Sequence, residues 1–451
     1  MEKKKKLLFT GATILTRNGE YIKDGCLLVD DGRIVYVGTE DPVEMYSFPY
    51  TPVATKVGLP RQRRDDVFGI RRIKCEGALL LSAFYNIHCH SPMTLFRGIG
   101  EDLPLQRWLN EKIYPAEDKL TPEKVYYGTL LAAAEMLRGG VVSFSDMYFF
   151  CEETAKAVLE TRMKANIARC LVSFDENDSI HGNERFDEAV KLIRDFDGEG
   201  EGRLLVDLSV HAEYTNKPKF LHEVGDYSLE NDTWMQVHVS ETEAEHLECL
   251  DRHGKTPTAF LVDMGILHKR STAAHCVWVS DDDMKLLAAN GVTVAHNPVS
   301  NLKLASGIAP VDKMLDAGIR VGLGTDGAAS NNRLSMIREL QTAALIHKGR
   351  TRRADIIDTW KFYEMSTKNG ALAQGRPDCG EIAVGNKADL CLINMDSVNN
   401  IPMFDPYSAL AYSVDPSDVR MTVADGEVLY EDGEYKTIDI KRVKYEFERL
   451  R

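Results

Sequence analysis

The stretch "YNIHCHSPMTLFRG", Tyr85–Gly98, sets two histidines one residue apart behind the apolar run "GALLLSAF". On an extended strand residues i and i+2 share a face, so His88 and His90 point together while Cys89 points away. Further short apolar runs follow: "VVSFSDM", "ANIARCLVS", "RLLVDLSVHA", "TWMQVHVSE", "STAAHC", "VTVAHNP" and "RVGLGTD". The residues between them suffice for helices. Thr121-Pro122-Glu123 supplies an N-cap and first turn, "VYYGTLLAAAEMLR" an apolar face, and Gly139-Gly140 a stop. With "LLLSAFYNIHCH" as the first, eight strand–helix units whose strands are near-continuously apolar predict a (β/α)8 barrel of the TIM type.

The polar residues fall at one end of these runs. His88 and His90 close the first, Asp146 the second, His211 the fourth, His238 and Glu241 the fifth. His275 closes the sixth, His296 the seventh and Asp326 the eighth. In a parallel barrel those edges meet at one mouth, where such enzymes keep their chemistry. Zinc takes nitrogen and oxygen ligands and needs an open position if it is to activate water. His88, His90, His238 and Asp326 would supply three neutral imidazoles and one carboxylate, leaving a net charge near +1 that lowers the pKa of a bound water. Glu241, three residues after His238, is placed for proton transfer, and His275 for holding the water or a carbonyl-like group. Glu243 and Glu245 read as a solvated helix N-terminus favoured by the dipole. The glycines of "GLGTDGAASNN" read as a tight turn beyond Asp326, because lysine and P-loop spacing are absent. His211 reads as a substrate contact and His296 as a hydrogen-bonded histidine beneath the site. His181, His222, His246, His253, His268 and His347 read as solvent-facing.

The chain ends have another rhythm. "LLFTGATILT" and "GCLLVDDGRIVYVGTE" near the start, and "GEIAVGNKADLCLINM" and "VRMTVADGEVLYEDGEY" near the end, read as short strands. Asp31-Gly32 and Asp425-Gly426 are hairpin turns between them. Neither end closes a sheet alone, so residues 1–78 and 376–451 are expected to form one composite β-sandwich and 79–375 the barrel. Met45–Arg72 reads as a loop or edge excursion.

At 451 residues, 44% hydrophobic and net charge −14, the chain has ample core and would repel a phosphate backbone. Charge alone therefore argues against nucleic acid as a partner. No apolar run approaches the roughly 20 residues a membrane span needs, and "EKKKKLLF" lacks the apolar run of a signal peptide. The nine cysteines are scattered without CxxC spacing, so reduced buried thiols in a cytoplasmic protein are expected.

"HCHSPMTLFRG", "HVSETEAE", "AAHC", "HNPVSNLKL" and "GTDGAASNN" resemble the amidohydrolase superfamily, more narrowly the S-adenosylhomocysteine/5′-methylthioadenosine deaminases. The resemblance runs from about Leu7 to the C-terminus. It implies one zinc per subunit, ferrous iron remaining open, on His88, His90, His238 and Asp326, with Glu241 as proton shuttle and His275 beside it. In "PLQRWLNEKIYPAED" it assigns Trp108 to the nucleoside and Glu117 to ribose hydroxyls. It brings His211 to the purine, and Arg169 and Arg185 to the far end of the substrate. Ser82-Ala83-Phe84 departs from the family's Pro-Gly-Phe at the strand entry, and no strand-four lysine offers itself for carbamylation. The activity implied is hydrolytic deamination of an adenine ring at C6 in a nucleoside-type small molecule, by a homo-oligomer. Deamination or hydrolysis of guanine, a pterin, cytosine or a triazine stays open, as does a non-catalytic barrel used in assembly.

Overall fold

The computed structural model describes residues 6–45 and 69–450. The chain opens with Lys6–Leu15 (β1), Tyr21–Asp30 (β2), Arg33–Gly38 (β3), Ile70–Lys74 (β4) and Ala78–Ser82 (β5). Phe84–Cys89 (β6), Val141–Tyr148 (β7), Lys164–Leu171 (β8), Leu204–Val210 (β9), Met235–Val239 (β10), Ser271–His275 (β11), Thr293–His296 (β12) and Arg320–Leu323 (β13) follow. These eight pair in chain order, each parallel to the last. β13 then returns to β6: the Asp326 N–H donates to the His88 carbonyl at 2.9 Å and the Thr325 N–H to Asn86 Oδ1 at 3.0 Å. The (β/α)8 barrel is thus the expected one. The same two contacts set Asp326 beside the opening histidines.

Every residue of β6 and β7 is buried, as their unbroken apolar pattern requires of strands covered on both faces. The helix Pro122–Arg138 begins and ends where its signals lie: Thr121 Oγ1 accepts the Lys124 N–H at 3.3 Å, and Gly139 caps the end.

Leu390–Asn394 (β14), Val419–Ala424 (β15), Glu427–Glu431 (β16) and Glu434–Tyr435 (β17) join the first five strands in one nine-stranded sheet. β5 lies between β1 and β14, so both chain ends build it. β1 pairs with β4 along its first half and with β5 beyond a bulge at Gly11 (φ 78°), a strand shared between two parts of a folded-over sheet. Phe9, Leu27, Leu80, Leu390 and Leu392 meet in one core between them. Both predicted hairpin turns carry positive φ at each central residue: Asp31 48°, Gly32 78°, Asp425 48° and Gly426 73°.

Three readings change. "LLLSAFYNIHCH" is two strands, not one: β5 belongs to the composite sheet and β6 to the barrel, with Ala83 between them. Both pieces are buried throughout and no turn residue divides them, so hydrophobic pattern cannot mark the crossing. Within Met45–Arg72, residues 46–68 lie outside the described residues, but Ile70–Arg72 are strand, not loop. Ile70 and Ile73 are buried there while Arg72 reaches Asp41 at 2.6 Å. Finally, the C-terminal Ile440–Leu450 is a helix, with Arg442 bonded to Glu160 at 2.7 Å and Arg449 to Glu123 on the barrel's outer wall.

All nine cysteines are free and buried. Among the described residues no helix is long and apolar enough to cross a membrane.

Candidate active site

The C-terminal ends of the barrel strands converge on one cavity of about 950 Å³. His90, His211, His238, Glu241, His275 and Asp326 line its floor. His88 lies just beneath, its ring 4.9 Å from that of His238 and 5.0 Å from that of His90. The donor atoms crowd together: Asp326 Oδ1 is 3.2 Å from His90 Nε2 and 3.6 Å from His88 Nε2, and the Nε2 atoms of His90 and His238 are 3.4 Å apart. These separations suit the edges of a tetrahedron with arms of about 2.0–2.1 Å, the zinc–nitrogen bond length. His88 Nε2 is buried and has no hydrogen-bond partner among the described residues. A buried nitrogen with no hydrogen-bond partner, aimed at a carboxylate and two imidazoles, is the chemistry of a metal ligand, so the donor set fits a divalent cation.

The outer nitrogens of the rings are fixed. His90 Nδ1 lies 2.7 Å from the Met147 carbonyl and His238 Nδ1 2.7 Å from the His211 carbonyl, so each turns Nε2 inward. Burial, and then the neighbouring imidazoles, hold His88 and His238 well below the ordinary histidine range, as neutral rings. Burial and the nearby His90 and His275 hold His211 down to about 4. His90 goes the other way, to about 9: burial pulls it down, but the hydrogen bond and charge of Asp326 outweigh it. Burial would raise Asp326, yet His90 beside it keeps its carboxylate well below the usual range. Oδ2 of Asp326 accepts from Ser300 at 2.6 Å and from Ser330 at 2.8 Å.

Glu241 follows β10, buried, with Oε2 3.9 Å from His275 Nε2 and Oε1 3.5 Å from Ser306 Oγ. Burial raises its pKa, Asp326 adding to the rise while His275 and His90 oppose it. Two site residues sit at left-handed φ, His275 at 72° and Asp326 at 60°. Non-glycine residues adopt such angles where surrounding contacts over-determine them, most often at functional sites. For His275 that contact is Asn301, whose Oδ1 lies 2.7 Å from Nδ1.

The other predicted residues line the same cavity. Glu117 accepts a hydrogen bond from the Tyr148 hydroxyl at 2.7 Å, and burial pushes its pKa up to about 7 against that bond. Trp108 is buried in the wall. His211 Nδ1 is 3.1 Å from Thr215 Oγ1. Arg169 and Arg185 both reach the outer end, Arg185 exposed and Arg169 paired with Glu188 at 2.6 Å.

Several assignments need correction. Glu245 is not solvated: it is buried and accepts the backbone N–H groups of Ser240 and Glu241, each at 2.7 Å. Glu243 is exposed as expected. The glycines around Asp326 serve close approach instead of a turn. A Cβ on Gly324 would meet Asn297 Oδ1 at 2.4 Å and His88 Cβ at 2.9 Å, and one on Gly327 would meet Met93 Sδ at 2.6 Å. It is Asp326 itself that turns. His347 is fully buried, its Nε2 3.2 Å from that of His296, so this helical histidine is the partner beneath the site that His296 requires. His246, His253 and His268 are half-buried, and only His181 and His222 of that group are exposed. Sequence reasoning did not find Asn301, Tyr148, Ser300 or Ser330. Tyr148 lies one residue past the end assigned to the second apolar run.

A parallel eight-stranded barrel with a divalent-metal donor set at its C-terminal mouth defines a class of hydrolase. The chain belongs to the amidohydrolase family, whose model matches residues 79–429. It is 38% identical to a 5′-deoxyadenosine deaminase of Methanosarcina mazei, over 97% of this chain and 95% of that protein. It is 42% identical to a 5-methylthioadenosine/S-adenosylhomocysteine deaminase of Dictyoglomus thermophilum, over 82% of this chain and 86% of that one. Its fold matches the crystal structure of an adenosine deaminase from Xanthomonas campestris with bound zinc, with TM-score 0.88, 29% identity, and 98% and 97% of the two chains covered.

Proposed function

We propose that the chain is a zinc-dependent hydrolytic deaminase of adenosine derivatives: S-adenosylhomocysteine, 5′-methylthioadenosine, 5′-deoxyadenosine or adenosine. The observation that carries this reading is a single cavity uniting the histidine–aspartate donor set and Glu241 with Trp108, Glu117 and His211. The names of the relatives point the same way.

One zinc per subunit, held by His88, His90, His238 and Asp326, would supply Lewis-acid activation of a water at neutral pH; ferrous iron suits the same donors. The rest falls to the protein. The water oxygen bonds to C6, the C6–N bond breaks, and water plus adenosine becomes inosine plus ammonia. Glu241, kept protonatable by burial, donates to ring N1 and relays protons to the departing amine. His275 has Nδ1 committed to Asn301 and turns Nε2 toward the attacking oxygen. Asp326 is steadied by Ser300 and Ser330 for the same task. Glu117 takes the ribose hydroxyls, Trp108 packs on the nucleoside and His211 meets the purine. Arg169 and Arg185 stand at the 5′ end.

We further propose a composite-sheet unit from 1–78 and 376–451 and a barrel unit from 79–375. A separate core drawn from residues 7–80 and 382–423 supports two units, with the first boundary falling after β5, because Leu80 belongs to that core and β5 pairs in the composite sheet. A cytoplasmic homo-oligomer is the accompanying proposal, the free thiols suiting a reducing compartment.

Ammonia release from zinc-loaded protein, across adenosine derivatives and other aminated heterocycles, tests the reading. Turnover of at least one of these adenosine derivatives is expected. Release from guanine, a pterin or cytosine alone would overturn it.

A further inference from the structure

Two loops carry the groups that brace the site. Ser300 and Asn301 lie in the short helix Pro298–Lys303 after β12, and Ser330 in the short helix Ala328–Asn331 after β13. Ser300 and Ser330 both hold Asp326 Oδ2, leaving Oδ1 for the histidines, and Asn301 holds His275. Behind them lies a carboxyl that the mechanism leaves unused. Glu339, on the helix Met336–Thr351, is fully buried. Its Oε2 accepts the Val299 N–H at 3.1 Å and its Oε1 accepts from Asn331 Nδ2 at 2.6 Å. Val299 precedes Ser300 and Asn331 follows Ser330, so one carboxylate grips both loops beside the two serines. The same Asn331 amide donates to the Thr325 carbonyl at 2.7 Å, one residue before Asp326. Glu339 has no ion-pair partner among the described residues. Burial pushes its carboxyl up to about 8, with Asn331 and the Val299 N–H opposing the rise. It is held by its two donors alone, and only a side chain with two acceptor oxygens bridges two donors on different loops.

We propose that Glu339 is a positioning residue: by tying the loops after β12 and β13 to one helix, it fixes Asp326 and His275 relative to each other at the reacting centre. Its reach is short, since Val299 is one residue from Ser300 and two from Asn301. Misplacing a reacting group by about 1 Å costs about 10²-fold in rate. The kinetic consequence rests on the deaminase reading, whereas the effect on the donor geometry does not.

The test uses Glu339→Gln, which keeps size and burial but sets an NH2 against one of the two donors. In the zinc-loaded variant, kcat for adenosine derivatives should fall by about tenfold or more while KM stays within about twofold. Cobalt(II) in place of zinc reads the ligand geometry through its visible absorption. That band should move in Glu339→Gln and keep its wild-type position in Lys164→Met, a buried change where β8 begins, at the end of the barrel opposite the mouth. In a Ser300→Ala/Ser330→Ala background, Glu339→Gln should move the band no further, because the path to Asp326 is already cut. Asn331→Ala cuts the same tie from the loop side and should reproduce the shift, so it decides the matter where Glu339→Gln fails to fold. A wild-type cobalt band with wild-type kcat, and only Tm lowered, overturns the inference. So does a loss confined to KM. If wild-type protein releases no ammonia from any adenosine derivative, the deaminase reading falls, and the cobalt band still decides whether Glu339 holds the site.

Discussion

The carboxylate of Glu245 accepts the backbone N–H of Glu241 at 2.7 Å, and with its other oxygen that of Ser240 at the same distance. Ser240 sits at φ 48°, so the chain turns sharply as it leaves β10, and Glu245 is the group that holds the turn. Glu245→Gln would set its NH2 against one of these N–H donors. Leaving one buried donor unmatched costs about 1–3 kcal/mol. Loosening the turn should lower kcat by about tenfold or more, since misplacement of a reacting group is costly. Metal content by atomic absorption should stay at wild-type level, because no donor is touched. An unchanged kcat would remove Glu245 from the account of Glu241's placement.

Glu241 itself is argued to move the proton and not to bind the metal. Glu241→Gln keeps size and burial but cannot transfer a proton. A positioned acid–base group contributes about 10²–10⁴-fold, so kcat should fall by that order while bound zinc remains stoichiometric. Normal deamination by this variant would refute the shuttle.

Substrate affinity should depend on pH through Glu117. Burial raises its pKa to about 7, and the Tyr148 hydroxyl bond opposes that rise. In the proposed role the ionised carboxylate would accept two ribose hydroxyls, and the protonated form would lose acceptor capacity. KM should therefore rise as pH falls through about 7. Tyr148→Phe removes the bond that favours ionisation, so the inflection should move to higher pH. In Glu117→Gln it should vanish. A KM profile of the same shape in all three proteins would exclude Glu117 as its source.

The donor set makes a thermodynamic prediction that needs no turnover. An ion that binds the folded chain only stabilises it by about 2.7 kcal/mol at a hundred times its Kd. Adding zinc to chelated protein should raise Tm by several degrees, and Asp326→Asn should shrink the shift. Equal shifts in both proteins would place the bound zinc elsewhere.

What the sequence disclosed follows from what each feature depends on. The strands were legible because burial on both faces demands unbroken apolar runs, and the mouth because His88, His238, His275 and Asp326 each end one. The hairpins at Asp31-Gly32 and Asp425-Gly426 were legible because their turns need positive φ. The division at Ala83 was not, since β5 and β6 share one composition and differ only in their partners. Glu245 looked like any acid in "SETEAE"; its burial goes with the Ser240 and Glu241 N–H groups it accepts, which no local pattern announces. His347 lies on a helix 51 residues from His296, a pairing no local pattern encodes. Asn301 stood inside a quoted motif, but its role appears only once His275 is seen at φ 72°.

Where the two sheets meet, a buried cluster makes a last prediction about stability. Lys164 on β8 has a fully buried side chain, with Nζ 2.5 Å from Asp389 Oδ2 and 2.7 Å from Asp425 Oδ1. The Tyr85 hydroxyl also donates to Asp389. Lys164 lies in the barrel and the two aspartates in or beside the C-terminal strands, so one ammonium ties the composite sheet to the barrel floor. Lys164→Met preserves most of the volume but takes from Asp389 its ammonium partner, while Asp425 keeps Arg203 at 3.6 Å and Lys387 at 3.7 Å. Breaking a buried ion pair in this way costs about 3–5 kcal/mol, although replacing a whole pair with apolar groups is often neutral. Urea unfolding should therefore show a loss of that order for Lys164→Met. Adding Asp389→Asn to that variant should recover part of the loss, because the stranded charge is removed. A single variant as stable as wild type would mean that water or neighbouring groups already carry these carboxylates.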